Sequence, residues 1–320
     1  MSKGLVTIFG GSGFIGKYVV RALVRDGWRV RVAMRRPHTG LDLKVTGNVG
    51  QVQLVQANLR FPLSVQRAVD GSDAVVNLVA LLSESGKQTF EALHVTGAET
   101  LAEACAEAGI KNLVHISALG ADLDSASEYA RTKAEGENLI RASIASADIL
   151  RPSIVFGPED NFFNQFAAMT SFAPALPLIG GGGTKFQPIY AGDVAEAVAT
   201  CLRRGTHGET YALGGPQTYT FKELLEFVLK TIDRKRFLVP VPWFAANAMG
   251  LAGELSGAIP FVTPFLTRDQ VTLLKTDNII PDGMKSAEDL AIELETIEAI
   301  VPGYLARYRH HGQFHEMQAG

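Results

Sequence analysis

Tyr129 and Lys133 lie four residues apart in Tyr129-Ala130-Arg131-Thr132-Lys133, a spacing that puts a phenol and an ammonium on one face of a helix. A neighbouring cation favours the phenolate. Tyr129 can then exchange a proton with an alcohol or carbonyl oxygen near neutral pH while Lys133 also holds a nicotinamide ribose. Ser117, at the expected end of a strand, offers a hydroxyl to orient the substrate oxygen. Ser117, Tyr129 and Lys133 would together form a hydride-transfer site, and such a site needs a dinucleotide beside it.

The sequence supplies a place for one. The apolar run Leu5–Phe9 leads directly into Gly10-Gly11-Ser12-Gly13-Phe14-Ile15-Gly16. Gly10 permits a tight turn, a side chain at Gly13 would obstruct a diphosphate, and Gly16 lets the following helix pack close to the sheet. The main-chain N–H groups from Ser12 through Phe14 and Ile15 are expected to face the negative charge at the helix N-terminus. The second strand ends in Val32-Ala33-Met34-Arg35-Arg36-Pro37, with no acid to accept ribose hydroxyls. Arg35 and Arg36 instead present guanidinium forks suited to a 2′-phosphate, so NADP(H) is expected in preference to NAD(H). Asn58 and Leu59, just past the third strand, would bracket adenine. Val79 and Ala80 after the fourth strand, and Pro152 and Ile154 after the sixth, complete the expected cofactor contacts.

These residues require a scaffold of alternating strands and helices. Short apolar runs at Leu5–Phe9, Arg29–Met34, Val52–Gln56, Ala74–Val79, Leu113–Ser117 and Asp148–Arg151 alternate with segments of helical period at Phe14–Arg25, Leu63–Val69, Phe90–Ala108 and Glu128–Ala145. The pattern predicts an α/β fold, a Rossmann-type doubly wound parallel sheet of six strands over residues 1–152. Residues 153–320, where Pro, Gly and Phe become frequent, are expected to form a smaller, irregular C-terminal lobe for substrate or partner, packed on the sheet. Within it, Asp193-x-x-Glu196 and Thr220-x-x-Glu223 read as capping boxes at two helix starts, flanking a short strand Thr210–Leu213. Phe162, Phe163, Phe166 and Phe172 are expected in a core or lining a substrate-side cleft, and Asp160 in a turn.

The remaining features set limits. The 320 residues carry 30 Lys+Arg against 33 Asp+Glu, so no overall positive charge advertises a nucleic-acid partner. The two cysteines, Cys105 and Cys201, suit a reducing compartment and form neither a disulfide framework nor a metal site. The N-terminal residues lack the pattern of a secretory signal, which predicts a cytoplasmic protein. Trp243–Leu266 is densely apolar but interrupted by Asn247, Gly250, Glu254 and Ser256, so no transmembrane segment is expected. The stretch is read as packing, with contact to a membrane surface as the alternative. His311 and His315 beside Glu316 have a helical metal-ligand spacing but no third ligand, and no metal is expected. His115, inside a strand, reads as a satisfied or cofactor-adjacent imidazole.

The glycine loop, Ser117 and Tyr129-x-x-x-Lys133 resemble the extended and atypical short-chain dehydrogenase/reductases, which include NAD-dependent epimerases and dehydratases. Leu150-Arg151-Pro152-Ser153-Ile154-Val155-Phe156-Gly157-Pro158-Glu159-Asp160-Asn161-Phe162-Phe163-Asn164, Phe186-Gln187-Pro188-Ile189-Tyr190 with Asp193-Val194-Ala195, and Leu266-Thr267-Arg268-Asp269-Gln270-Val271 resemble the nucleotide-binding accessory subunit of respiratory complex I and its bacterial relatives. That resemblance implies NADPH held as a structural element, complex I subunits at the peripheral-arm/membrane junction as partners, proximity to quinone, and peripheral attachment at the cytoplasmic face of the inner membrane. The alternative it implies is an active oxidoreductase or epimerase using Tyr129 and Lys133, in ubiquinone biosynthesis. His94, before Val95-Thr96-Gly97, departs from the Asn that extended reductases usually carry there to shape the proton path.

Overall fold

Segments rich in Val, Ile and Leu pair side by side because β-branched side chains suit a pleated surface covered by helices. In the computed structural model, which describes residues 3–257 and 264–309, the strands are β1 (Leu5–Phe9), β2 (Arg29–Met34), β3 (Val52–Gln56), β4 (Ala74–Asn77), β5 (Asn112–Ile116) and β6 (Asp148–Pro152). The helices between them are α1 (Phe14–Arg25), α2 (Pro62–Val69), α3 (Thr96–Glu107) and α4 (Glu128–Ser143). All pairings are parallel, in the order β3-β2-β1-β4-β5-β6. The order reverses between β1 and β4, and a doubly wound sheet takes its ligand outside the carboxyl ends of the strands at such a point.

The sheet has seven strands rather than six. Thr210–Leu213 adds to the edge beside β6, in parallel register with Ile149–Pro152. The Asp148 carboxylate accepts the N–H groups of His207 and Glu209, and Arg141 donates to the Gly208 carbonyl and the Thr210 hydroxyl. These polar contacts are what an apolar-run reading cannot see.

The division of the chain is correspondingly less simple than a cut after residue 152. One unit comprises the chain up to Pro152 together with Ala191–Leu213 and Pro281–Glu293. The other comprises Ser153–Tyr190, Gly214–Ile280 and the chain from Leu294.

Other boundaries also move. β4 stops at Asn77, whose Oδ1 accepts the Val79 N–H and turns the chain. The helix expected over Phe90–Ala108 opens with a wide π turn at Glu91–Val95 before α3 begins. The helix Ala191–Arg204 starts ahead of Asp193, which lies inside its first turn and not at its cap. Thr220 caps its helix as expected: its hydroxyl accepts the Glu223 N–H, and the Glu223 carboxylate accepts the Thr220 N–H.

The second unit is built on phenylalanine. Phe156, Phe163, Phe166, Phe186 and Phe221 are buried, and Phe162 meets Phe163 and Phe166 edge to face with centroids 5.2 and 5.1 Å apart. Phe172 is the exception, 92% exposed rather than in a core or cleft. Asp160 does more than occupy a turn: buried, it accepts the N–H groups of Gly157 and Asn164 and the hydroxyl of Tyr304, and burial raises its carboxyl above the ordinary range. The helix Ile297–Leu305 adds Ile297, Val301 and Leu305 to this core.

Among the described residues no helix is long and apolar enough to cross a membrane, and no group of three His, Cys, Asp or Glu could hold a metal. His311, His315 and Glu316 lie outside the described residues, as do Ile259, Phe261 and Val262 of the apolar stretch.

Candidate dinucleotide site

The turn between β1 and α1 is made by Gly10, whose φ of +81° a side chain would strain. The Gly13 N–H closes this turn on the Gly10 carbonyl at 3.0 Å, so one of the amides expected to face an anion is already used. The amides of Phe14 and Ile15, in the first turn of α1, have no carbonyl of their own helix to bond. No side chain caps α1, and its first turn carries no acid, so the positive end of the helix dipole is left uncovered. A Cβ at Gly16 would stand 2.3 Å from the Gly10 oxygen and 2.6 Å from the Gly11 main chain. At Gly13 it would meet only the Gly10 oxygen, at 3.3 Å. Gly16 is therefore required by the fold, and Gly13 keeps space on the outer side of the turn.

Arg35 and Arg36 follow β2 and are exposed, and among the described residues no hydrogen bond or ion pair engages either guanidinium. Asn58 folds its Oδ1 onto the Arg60 N–H, leaving its amide nitrogen end for an adenine edge, while Leu59 is buried in the core of the sheet unit. Val79 and Ala80 are half-buried and exposed beyond β4, and Pro152 is buried at the end of β6. Ile154 belongs to the second unit. Replacing Arg35 by alanine is expected to weaken NADP(H) by roughly tenfold or more and NAD(H) hardly at all, because only the former carries a phosphate for the fork to grip. Titration calorimetry with both coenzymes tests this, and equal loss for both would remove Arg35 as the selector.

Lys133 projects from α4 into the sheet unit, 1% exposed, with Nζ donating to the Ile116 carbonyl at 3.0 Å. Burial pulls its pKa down to about 8, although Glu137 one turn along favours the charged form. Glu137 is itself held by the Arg151 guanidinium in two bonds of 2.9 and 2.6 Å. Tyr129, half-buried, is set edge-on to Phe90 and His94, with centroids 5.8 and 5.5 Å away.

Three buried polar atoms nearby have no hydrogen-bond partner among the described residues: the Ser117 hydroxyl, Asn77 Nδ2 and His115 Nδ1. Asn77 and His115 are register partners on β4 and β5, and Ser117 lies just beyond β5. Each unsatisfied buried group costs about 1–3 kcal/mol, and native proteins rarely tolerate several together. The clustering at strand ends, beside the uncovered helix dipole, fits a polar ligand of dinucleotide type. Asn77 escaped sequence reasoning, although a lone amide in the apolar run Ala74–Val79 was its signal.

His94 occupies the π turn. Its Nε2 accepts the Leu81 N–H at 3.0 Å, so the ring proton sits on Nδ1, 3.1 Å from the Thr132 hydroxyl, which in turn donates to the Glu128 carbonyl. Burial and the Lys133 cation push its pKa down to about 2, and burial holds His115 well below the usual imidazole range. Both rings stay neutral near neutral pH. His94 is thus a tie between the loop after β4 and α4, with both nitrogens committed.

The sequence pattern of the NAD dependent epimerase/dehydratase family matches residues 6–214 of this chain. The mitochondrial NADH-ubiquinone oxidoreductase 40 kDa subunit of Neurospora crassa is 33% identical over 304 residues, 95% of this chain and 79% of that protein. A ceramide reductase of Caulobacter vibrioides is also 33% identical, over 75% of this chain and 74% of its own length. Among solved structures, a dTDP-glucose 4,6-dehydratase of Streptomyces venezuelae with NAD bound superposes with a TM-score of 0.69, covering 98% of this chain and 99% of that one at 20% identity, a likeness of fold.

Proposed function

Because the chain belongs to the NAD-dependent epimerase/dehydratase family, we propose that it binds NADP(H) through the turn after β1 and Arg35, and acts as an accessory component of respiratory complex I. One observation carries this reading: identity to the Neurospora respiratory subunit runs through 95% of the chain, well past position 214, where the family match ends. The enzyme relative named for ceramide reduction reaches 75%. The same breadth favours the respiratory reading over a separate enzyme of ubiquinone biosynthesis. Within the complex we place the protein at the junction of peripheral arm and membrane, near the quinone end.

In this role the nucleotide is a stabilising ligand. Anything bound only to the native state adds RT ln(1 + [L]/Kd) to its stability, and here it would also satisfy polar atoms that folding alone leaves unpaired. Bound NADPH supplies a transferable hydride, but the accessory role does not use it. Lys133, fixed to the Ile116 carbonyl, orients a ribose hydroxyl; Asn77 and Ser117 offer polar contacts at the strand ends.

A second reading, a working oxidoreductase, is favoured by the presence of Tyr129 and Lys133 on α4, with Lys133 tied to the end of β5 just before Ser117. Tyr129→Phe separates the two. Removing a general acid/base costs an enzyme about 10²–10⁴ in rate, whereas the accessory reading expects unchanged quinone-linked NADH oxidation in membranes from cells carrying the variant. Affinity capture of the intact chain from detergent-solubilised membranes should recover complex I subunits. Recovery of none, with a loss of activity in Tyr129→Phe, would overturn the accessory role.

A further inference from the structure

The segment that follows β4 lies against the turn after β1. A Cβ on Gly10 would stand 3.0 Å from the Leu78 carbonyl carbon and 3.2 Å from the Val79 nitrogen, so whatever fixes Leu78–Leu81 also shapes one side of that turn. The main-chain N–H groups of the segment can be accounted for one by one. Leu78 donates to the Phe9 carbonyl at 2.9 Å and Val79 to Asn77 Oδ1 at 3.1 Å. Leu81 donates to a side chain from another element, His94 Nε2, at 3.0 Å. Ala80 is exposed, and among the described residues nothing accepts its N–H.

His94 reaches Leu81 from the π turn Glu91–Val95. There the Thr96 N–H bonds to the Glu91 carbonyl, five residues back, and such widened turns recur at functional sites. The imidazole is held in one orientation. Its Nδ1 faces the Thr132 hydroxyl of α4 at 3.1 Å, Phe90 stacks on it with centroids 5.3 Å and planes 25° apart, and Tyr129 meets it edge-on. Gly136 lets α4 come this close, since a Cβ there would lie 2.1 Å from the His94 carbonyl oxygen. The start of the π turn is pinned as well, with the Phe90 N–H bonded to the Glu84 carboxylate at 2.7 Å. One stretch of α4 thus carries Tyr129, Lys133 and, through Thr132, the ring that holds Leu81.

We propose that His94 is a positioning residue for the nucleotide: by accepting the Leu81 N–H it holds the segment after β4 against the Gly10 turn and leaves the Ala80 N–H as the donor that this segment offers the dinucleotide. A loop set in advance spares the ligand the cost of ordering it, and a loop that is only partly in place lowers affinity by the fraction that is competent. This role presupposes nucleotide binding at the turn after β1 as proposed above, and His94 itself stays outside the contact.

Glutamine and asparagine separate the two ring nitrogens. In His94→Gln the side-chain oxygen can stand where Nε2 does and keep the Leu81 bond. In His94→Asn the amide stands where Nδ1 does, keeps Thr132 and releases Leu81. Both variants lose the ring and its contacts with Phe90 and Tyr129, so both should melt at similar temperatures, below the unaltered chain. By titration calorimetry, NADPH affinity should fall roughly three- to tenfold in His94→Asn, the worth of one hydrogen bond, and stay within about twofold in His94→Gln. Amide exchange followed by NMR on the unaltered full chain needs no variant. The Leu81 N–H is expected to be protected without nucleotide, and the Ala80 N–H only once NADPH is added. Leu81 exchanging as fast as Ala80 in the nucleotide-free chain overturns the proposal. Equal NADPH affinity in the two variants, with binding by the unaltered chain intact, overturns the role of His94 alone, whereas no binding by the unaltered chain removes the nucleotide site and this role together.

Discussion

A single methyl group is expected to have opposite consequences three residues apart. At Gly13 it should abolish nucleotide binding in a protein that still folds; at Gly16 it should prevent folding. Gly13 has an extended backbone, φ −77° and ψ 179°, which any residue adopts, and a Cβ there meets nothing closer than 3.3 Å. Gly13→Ala should therefore shift stability by no more than about 1 kcal/mol. The methyl would occupy the approach to the amides of Phe14 and Ile15. Losing two hydrogen bonds to a charged phosphate, at about 1.5–3 kcal/mol each, lowers affinity by roughly 10²–10⁴-fold. At Gly16 the added atom would lie 2.3 Å from a main-chain oxygen and 2.6 Å from main-chain carbon, so backbone must move. The cost is expected to be about 3 kcal/mol or more. Chemical denaturation with and without NADPH reads both effects. If Gly13→Ala kept the full ligand-induced gain in stability, the turn would not be where the diphosphate binds.

Removing the ammonium of Lys133 should stabilise the protein without nucleotide and cost it affinity for the nucleotide. The side chain is buried, and its pKa falls from 10.5 to about 8, so the fold holds the charged form less readily than the unfolded chain does. The sign follows from proton counts. Between pH 8 and 10.5 the unfolded chain binds more protons, and stability rises with pH across that window. Below pH 8 the lysine is charged in both states and the full penalty, roughly 3 kcal/mol, is present. Lys133→Met fills a similar volume, and Glu137 stays paired with Arg151, so no new buried charge is stranded. After subtracting the bond to the Ile116 carbonyl, a gain of about 1–2 kcal/mol at pH 7 is expected, along with a flatter pH profile between 8 and 10.5. Urea titrations across that range compare the two proteins. A destabilised Lys133→Met with an unchanged pH slope would show that the ammonium is a structural tie and not a strained functional group.

The sheet was legible because its strands are apolar runs bounded by glycine and polar residues, and periodicity reports that arrangement directly. The turn after β1 was legible for a related reason: glycine spacing is a statement about backbone clearance, and Gly10 and Gly16 meet that clearance in the structure. What periodicity missed is held by side-chain hydrogen bonds between distant residues. The seventh strand depends on Asp148 and Arg141, and the π turn presents His94 to Leu81 and Thr132. Leu59 reads equally well as an adenine contact or a core residue, since both need an apolar side chain after β3. Its burial follows from the turn made by Asn58 and Ser64. In the second unit most strands are only two residues long, which gives a period too few repeats to register. Phe172 looks like its buried neighbours until the chain around it is folded.

The open flank of β6 is closed by Thr210–Leu213, and that strand in turn donates its Ala212 N–H to the Lys285 carbonyl. During translation, the nucleotide-binding half therefore leaves the ribosome with an open edge, and its final seal is encoded about 130 residues downstream of β6. Cutting the gene at the natural-looking point after Pro152 would yield a sheet with an adhesive margin, because the unit that closes it also draws on Ala191–Leu213 and Pro281–Glu293.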